Sequence, residues 1–237
     1  MRPSGALLFW LFASALALWL QTSAPSDAEE PPNPFPSPTP VSSHGGNGFG
    51  FLGFMGGSAD GGTIAPLAGS TRAPAAFGSA HAGGFNLDLL GRLSPLFLAG
   101  LKFDDLSVHG ADNPVVTFAQ GLVLYDPRGG NAAFGLGFIS AQRSSANVNA
   151  NGVGVGAEYL PTFKPGPGLY GSAFIYPRLR TGDIGFSLFS ADAGVVFVPS
   201  GRGGLFLRAG LFTRSGGGAS FSPNSISGVN VGVGAAF

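Results

Sequence analysis

The last ten residues of the chain, Gly228-Val229-Asn230-Val231-Gly232-Val233-Gly234-Ala235-Ala236-Phe237, decide which fold the sequence indicates. Apolar side chains occupy every second position from Val229 to Phe237, and the residues between them are small or polar. A period of two places alternate side chains on opposite faces of a β-strand. The segment is therefore predicted to be a strand whose apolar face ends on the C-terminal Phe.

The same alternation recurs upstream, for example at Phe134, Leu136 and Phe138 and again at Leu205, Leu207 and Leu211. After residue 44 no segment shows the i, i+3, i+4 apolar spacing of a helix. The body is therefore predicted to be all-β, as a closed antiparallel barrel of ten strands. The expected strands lie at about 48–56, 83–92, 95–105, 114–126, 131–142, 151–163, 168–180, 183–198, 203–214 and 226–237.

The composition excludes several classes of protein. Of 237 residues, 41 are Gly, 22 are Phe and none is Cys, and 12 basic residues balance 12 acidic ones. Charged residues make up 10% of the chain, against about 25% in a typical soluble domain. This argues against a cytosolic enzyme, and the 44% hydrophobic content argues against disorder. The absence of Cys excludes disulfides and a Cys-based zinc site, and the neutral charge gives no reason to expect a nucleic-acid partner.

The N-terminus has the pattern of an export signal. Arg2 precedes an apolar run from Leu7 to Leu20, and small residues follow it. The run is shorter than the about 20 residues of a membrane-spanning helix. Residues 1–28 are therefore predicted to be a signal peptide, cleaved after Ala24 or Ala28.

A Pro-rich segment separates this signal from the strands. Pro alternates with other residues through most of Pro31–Pro40. Because each Pro fixes φ and lacks an amide donor, the segment favours polyproline II over helix or sheet. Residues 29–46 are predicted to be a periplasmic linker, and recognition by a periplasmic partner is a second reading of the same stretch.

Three further features favour a transmembrane barrel of the remaining residues, 47–237. The strand faces alternate apolar residues with Gly or single charges, as expected of a lipid-facing exterior and a polar lumen. The connections mostly alternate in predicted length, with short ones at 93–94, 127–130, 164–167 and 199–202 and longer polar ones at the opposite end at 106–113, 143–150 and 215–225. The turn at 181–182, also at the opposite end, is short and departs from this rule. Tyr125, Tyr159 and Tyr170 lie near these short turns, where an interfacial aromatic belt is expected. A secreted soluble β-sandwich, such as an adhesin module, is the alternative.

If the apolar face meets lipid, the opposite face points into the lumen. Strand parity then places a set of polar residues inside: Asp88, Lys102, Gln120, Glu158, Asp192 and Arg208. Buried charges must pair or meet water. An ion-pair network that fills the lumen is the favoured interpretation, and a narrow pore for small solutes is the alternative.

Together these features resemble the small bacterial outer-membrane barrels of the OmpA-transmembrane, OmpX and OmpW kind. The resemblance covers residues 47–237 and implies an integral protein of the bacterial outer membrane, in contact with its lipid. It also implies that the barrel-assembly machinery reads the last strand through Val229, Val231, Val233, Ala235 and Phe237. The unpatterned stretch Gly57–Ala82 departs from the family, and eight strands follow if residues before Leu93 lie outside the wall.

The resemblance identifies no ligand, so a structural or surface-interaction role is expected. An enzyme is not expected, and neither is a metal or cofactor. A barrel hydrolase acting at the outer rim is the remaining alternative. Its catalytic candidates are Asp104, Asp105, His109 and Asp112, where an Asp-His pair could activate water or a hydroxyl.

Overall fold

A computed structural model of the protein describes residues 48–61, 63–64, 75–76, 78–109, 114–127, 131–144, 148–181, 184–199, 204–217 and 224–237. All of them belong to the compact unit Val41–Phe237. The predicted signal peptide and linker lie outside the described residues. No helix long and apolar enough to cross a membrane occurs in the part of the chain that is described.

Strands make up most of the described ranges. They are β1 (Gly48–Asp60), β2 (Thr63–Ile64), β3 (Ala75–Ala76), β4 (Ala80–Ser94), β5 (Phe97–His109), β6 (Val115–Tyr125), β7 (Ala132–Arg143), β8 (Val148–Tyr159), β9 (Gly166–Thr181), β10 (Ile184–Val198), β11 (Leu205–Gly217) and β12 (Ser225–Ala236). The ten long strands form one closed barrel in the order β1-β12-β11-β10-β9-β8-β7-β6-β5-β4, and β2 pairs with β3 separately. The prediction of a closed ten-stranded antiparallel barrel is confirmed.

The first and last strands close the barrel. β1 pairs antiparallel with β12, from Phe49 opposite Ala236 to Asp60 opposite Ser225. β1 pairs with β4 along its other edge. Both strands therefore belong to the wall, so the eight-stranded alternative is wrong. The soluble β-sandwich is wrong as well, because the ladder continues without an open edge.

The stretch Gly57–Ala82 holds more strand than the sequence indicated. Its first residues continue β1 to Asp60 and its last ones begin β4 at Ala80. In β1 this extension, residues 57–60, reads Gly-Ser-Ala-Asp. Small side chains on both faces give no apolar period, so the pattern stops although the backbone pairing continues.

The barrel has two ends. Gly48 and Phe237 lie at one, here called the terminal end, and the opposite one is the distal end. The predicted contrast between short and long connections is wrong for most of the barrel, because the distal connections 110–114 and 144–147 have only five and four residues. The two-residue turn at 95–96 lies at the terminal end, but so do the six-residue connections 126–131, 160–165 and 199–204. Residues 106–109 and 148–150, expected in distal loops, extend β5 and β8 and shorten those loops.

Large apolar side chains on the outer face are exposed on every barrel strand and form a continuous apolar belt. Its members include Leu52, Phe54, Phe85, Leu101, Val123, Phe134, Leu136, Phe138, Val153, Val155, Ile175, Phe189, Val195, Leu207, Leu211, Val229, Val231 and Val233. Phe54 is 74% exposed and Leu211 65%. Towards the distal end the exposed outer positions become polar, as at Ser58, His81, Ser107, Gln142, Asn149, Asn151 and Ser215.

Candidate functional site in the barrel interior

Seven charged side chains meet in the middle of the barrel interior. All are almost fully buried: Asp88 on β4, Lys102 and Asp104 on β5, Glu158 on β8, Asp192 on β10, and Arg208 and Arg214 on β11. Alternation along each strand explains the arrangement, because polar residues occupy the face opposite the apolar belt. The five residues that the sequence assigned to a lumenal network are all among them.

Arg208 is the member of the charged cluster that lies nearest the terminal end. Its Nη1 lies 2.8 Å from Asp88 Oδ2. The guanidinium is also held between two aromatic rings, 4.3 Å from the centroid of Phe51 and 3.9 Å from that of Tyr170. Cation–π contact is strongest where water is excluded. The Tyr170 hydroxyl donates to Asn230 Oδ1 at 3.0 Å, so the ring is fixed as well.

Lys102 joins several strands at the centre. Its Nζ lies 2.6 Å from Glu158 Oε1 and 3.8 Å from Asp88 Oδ2. It also donates to Ser172 Oγ at 2.9 Å. Ser172 in turn donates to Asp192 Oδ2 at 3.2 Å. A single ammonium group therefore links side chains of β4, β8 and β9 through direct contacts.

Arg214 lies on the distal side of Lys102 and Arg208. Its Nε donates to Asp104 Oδ2 at 2.8 Å, and its Nη2 donates to both carboxylate oxygens of Asp192 at 3.2 Å. Its Nη1 donates to the backbone oxygens of Ala191 and Thr213, each at 3.0 Å. Every guanidinium nitrogen is thus bonded, which is the condition under which a buried charge is tolerated.

A neutral bridge crosses the interior as well. Tyr176 donates through its hydroxyl to Gln120 Oε1 at 3.0 Å, and Gln120 Nε2 donates to Ser190 Oγ at 3.2 Å. β6, which carries Gln120, is three strands from β9 and four from β10 around the barrel. These bonds therefore span the lumen and do not run along its wall.

Apolar groups close the interior on either side of the polar cluster. At the terminal end the ring centroids of Phe49, Phe163 and Phe206 lie 5.1 to 6.2 Å apart. Distal to the polar cluster the buried side chains are mainly aliphatic, including Leu106, Val108, Val116, Leu179, Leu188 and Ile226. A cavity bordered by Asp88, Glu158 and Arg208 measures about 10 Å³, which is about the room that one water needs.

Inward glycines accommodate the large aromatic rings. A Cβ at Gly137 would lie 2.5 Å from the Tyr176 hydroxyl and 3.1 Å from Phe174 Cδ1. A Cβ at Gly156 would lie 2.5 Å from Phe174 Cδ1. The rings of β9 therefore lie against the bare backbone of β7 and β8. Gly on the inner face thus makes room for large side chains that fill the interior.

The proposed catalytic cluster is not brought together. Asp104 and Asp105 are neighbours on β5 and point to opposite faces. Asp104 is bound to Arg214 inside the barrel, and Asp105 accepts a hydrogen bond from Thr117 Oγ1 at 2.8 Å. His109 is exposed on the outer face at the end of β5, and Asp112 lies outside the described residues. All three described residues lie on β5, so His109, which falls in the loop expected at 106–113, belongs to a strand instead.

Two of the three predicted belt tyrosines lie at the terminal end. Tyr125 ends β6 and Tyr159 ends β8, and both are exposed. Phe97 joins them, with its ring centroid 5.6 Å from that of Tyr125. Tyr170 does not belong to this set. It is 8% exposed and points inward, because its ring packs on Arg208.

The comparisons with known proteins add no relative. No protein-family model, curated protein or solved structure matches the chain. Function is therefore inferred from the barrel itself, from its exposed belt and from its filled interior.

Sequence reasoning missed Arg214, Ser172, Tyr176 and the inward position of Tyr170. For Arg214 a signal was present, because it lies an even number of residues from Arg208 on the same strand. The same parity relates Asp104 to Lys102. Ser172 carries no such signal, because an isolated Ser fits either face of a strand.

Proposed function

We propose that the protein is an integral β-barrel of the bacterial outer membrane, with a structural or surface-interaction role and a largely filled lumen. The observation that carries the proposal is the apolar belt. It surrounds the barrel on all ten strands, while seven charged side chains lie buried in the interior. A soluble protein buries its apolar side chains and exposes its charges, and this barrel has the opposite arrangement.

The dimensions of the barrel support the same proposal. The ten wall strands are 11 to 16 residues long. A tilted strand needs about 9–11 residues to cross the hydrocarbon layer. A closed barrel also satisfies all its backbone donors and acceptors within the wall, which lipid requires. Exposed Tyr125, Tyr159 and Phe97 at the terminal end suit the interface between lipid and water.

The last strand fits the proposed recognition by barrel-assembly machinery. Val229, Val231 and Val233 all lie on the outer face, half exposed. Phe237 follows on the same face at the seam between β12 and β1. An assembly factor that approaches from outside the barrel would therefore meet one uninterrupted apolar row.

The filled interior supports a non-conducting role over a narrow pore. Ion pairs and hydrogen bonds cross the lumen at three levels, through Arg208, Lys102 and Arg214. Aromatic groups close the lumen at the terminal end, and mainly aliphatic groups close it towards the distal end. A continuous water path would have to break several of these contacts at once.

Membrane insertion is tested by fractionation and by heat-modifiable migration. The protein is expected in the outer-membrane fraction, released by detergent and not by salt. Folded in detergent, it is expected to shift its gel mobility on boiling, because a closed barrel resists the detergent until heated. Recovery in the soluble fraction without a shift would contradict the proposal.

A further inference from the structure

The outer wall carries a basic site on β9 at the distal end. Arg178 and Arg180 are both exposed, whereas Tyr176 and Leu179 are fully buried. The ladder between β8 and β9 shifts register between Val153 and Val155, which marks an irregularity in β9. Because of this irregularity both arginines are directed outwards.

The two arginines lie where the outer surface changes character. Arg180 pairs in register with Asn151 on β8 and with Gly185 on β10. Arg178 pairs with Val153, and the next outward pair towards the terminal end is Val155 with Ile175. The arginines thus lie at the distal edge of the apolar belt. Gly185 carries no side chain that could cover them.

The charge of this site is not balanced within the described part of the barrel. No ion pair or hydrogen bond of either guanidinium is found there. The outward carboxylates near this end, Asp60 on β1 and Asp105 on β5, are each four strands away from β9. Asp183, in the adjoining turn, lies outside the described residues. Residues 178–183 contain two arginines and one aspartate, so their net charge is +1.

We propose that Arg178 and Arg180 bind the phosphate of an anionic lipid headgroup in the leaflet at the distal end. The inference rests on the proposed membrane location. Planar guanidinium groups match phosphate oxygens in pairs, and they do so better than a point charge. Their position at the edge of the belt is the depth at which headgroups meet water.

The surroundings favour a lipid over free phosphate as the occupant. Val153 is exposed beside Arg178, and Val155 and Ile175 are exposed one outward pair closer to the terminal end. An acyl chain attached to the bound phosphate would contact these side chains and gain from their burial. Free inorganic phosphate would gain nothing from them.

The test uses protein purified from membranes and placed in nanodiscs of phosphatidylcholine with a minor share of phosphatidic acid. Phosphatidic acid that stays bound after detergent extraction is counted by native mass spectrometry. The variant is Arg178→Gln with Arg180→Gln. The matched control is Lys164→Gln, which removes an exposed cation from a turn at the terminal end.

Wild-type protein and the Lys164→Gln control are expected to retain about tenfold more phosphatidic acid than the double variant. An excess of inorganic phosphate is expected not to displace the lipid. Equal retention by all three proteins would overturn the inference, and so would ready displacement by free phosphate. Failure of the wild type to insert into phosphatidylcholine alone would overturn the proposed function and this inference with it. Insertion without selectivity would overturn the inference alone.

Discussion

Arg214 on β11 and Asp104 on β5 form an ion pair of 2.7 Å across the interior, although β12, β1 and β4 lie between their strands in the wall. The pair connects distant parts of the sequence, since 110 residues separate its members. It shows that the interior is held together by contacts across the lumen in addition to the ladder of the wall.

Replacing Arg214 by Leu is expected to destabilise the barrel more than replacing Asp104 by Leu. Loss of Arg214 leaves two buried carboxylates, Asp104 and Asp192, without their cation. Loss of Asp104 leaves Arg214 still bound to Asp192. Breaking such a buried pair costs about 3–5 kcal/mol. The measurement is the folded fraction on unboiled gels after incubation in increasing urea.

The double variant completes this thermodynamic cycle. The two substitutions together are expected to cost less than the sum of the single ones, because residues in contact do not act additively. Additive costs would show that the pair contributes little to the stability of the interior.

Adding a methyl group at Gly137 is expected to disturb the bridge between Tyr176 and Gln120. The new Cβ would lie 2.5 Å from the Tyr176 hydroxyl. Overpacking of this kind costs about 1–3 kcal/mol. The control is Gly121→Ala, since an added Cβ at Gly121 has nothing within 4 Å. Equal urea midpoints for the two variants would contradict the fitted packing of rings on glycines.

Phe237 is expected to act in two separable ways. Its backbone exchanges two hydrogen bonds with Gly48, each 2.9 Å long, and these close the seam. Deleting the residue should therefore reduce both folding in detergent and insertion in cells. Phe237→Ala keeps the backbone bonds, so it should fold in detergent and lose insertion in cells only. Unchanged insertion of the Ala variant would contradict a role for the ring in assembly.

The filled lumen is expected to make the wild-type protein electrically silent in planar bilayers. Removing Lys102 and Arg208 together by Ala substitution should produce brief, intermittent conductance, because the apolar groups at both ends still close the lumen most of the time. Both side chains cross the interior, and the carboxylates they leave behind attract water and cations. Lys164→Ala, on an exposed turn, is the control and should stay silent. Conductance of the wild type comparable to that of the double variant would favour the narrow pore.

The wall of the barrel could be predicted because its apolar period of two is long and regular. The final strand alone carries an apolar row from Val229 to Phe237. Strand parity also identified which side of the wall Asp88, Lys102 and Glu158 occupy. Strand parity shows on which face of the wall a side chain lies, but it shows neither the position of that side chain along the barrel axis nor its partner. The cross-lumen bonds of Arg214 and Gln120 could therefore not be derived from it.

Residues near the ends of strands were harder to place. Tyr170 lies close to a turn in the sequence, which suggested an interfacial position. Its burial comes from Arg208, which lies 38 residues later and whose approach only the closed barrel defines. Asp104 lies next to the end of the strand expected at 95–105, whereas β5 continues to His109. Backbone pairing with β6 continues past it to Ser107.

The central claim, that lipid surrounds the apolar belt, is tested most directly by spin labels along β12. The chain has no Cys, so single Cys variants can be labelled without background. In lipid vesicles, labels at Val229, Val231 and Val233 are predicted to be accessible to oxygen and protected from a water-soluble nickel chelate. A label at Ser225 should show the reverse. Free access of the nickel chelate to the label at Val231 in the folded protein would contradict a membrane-embedded barrel.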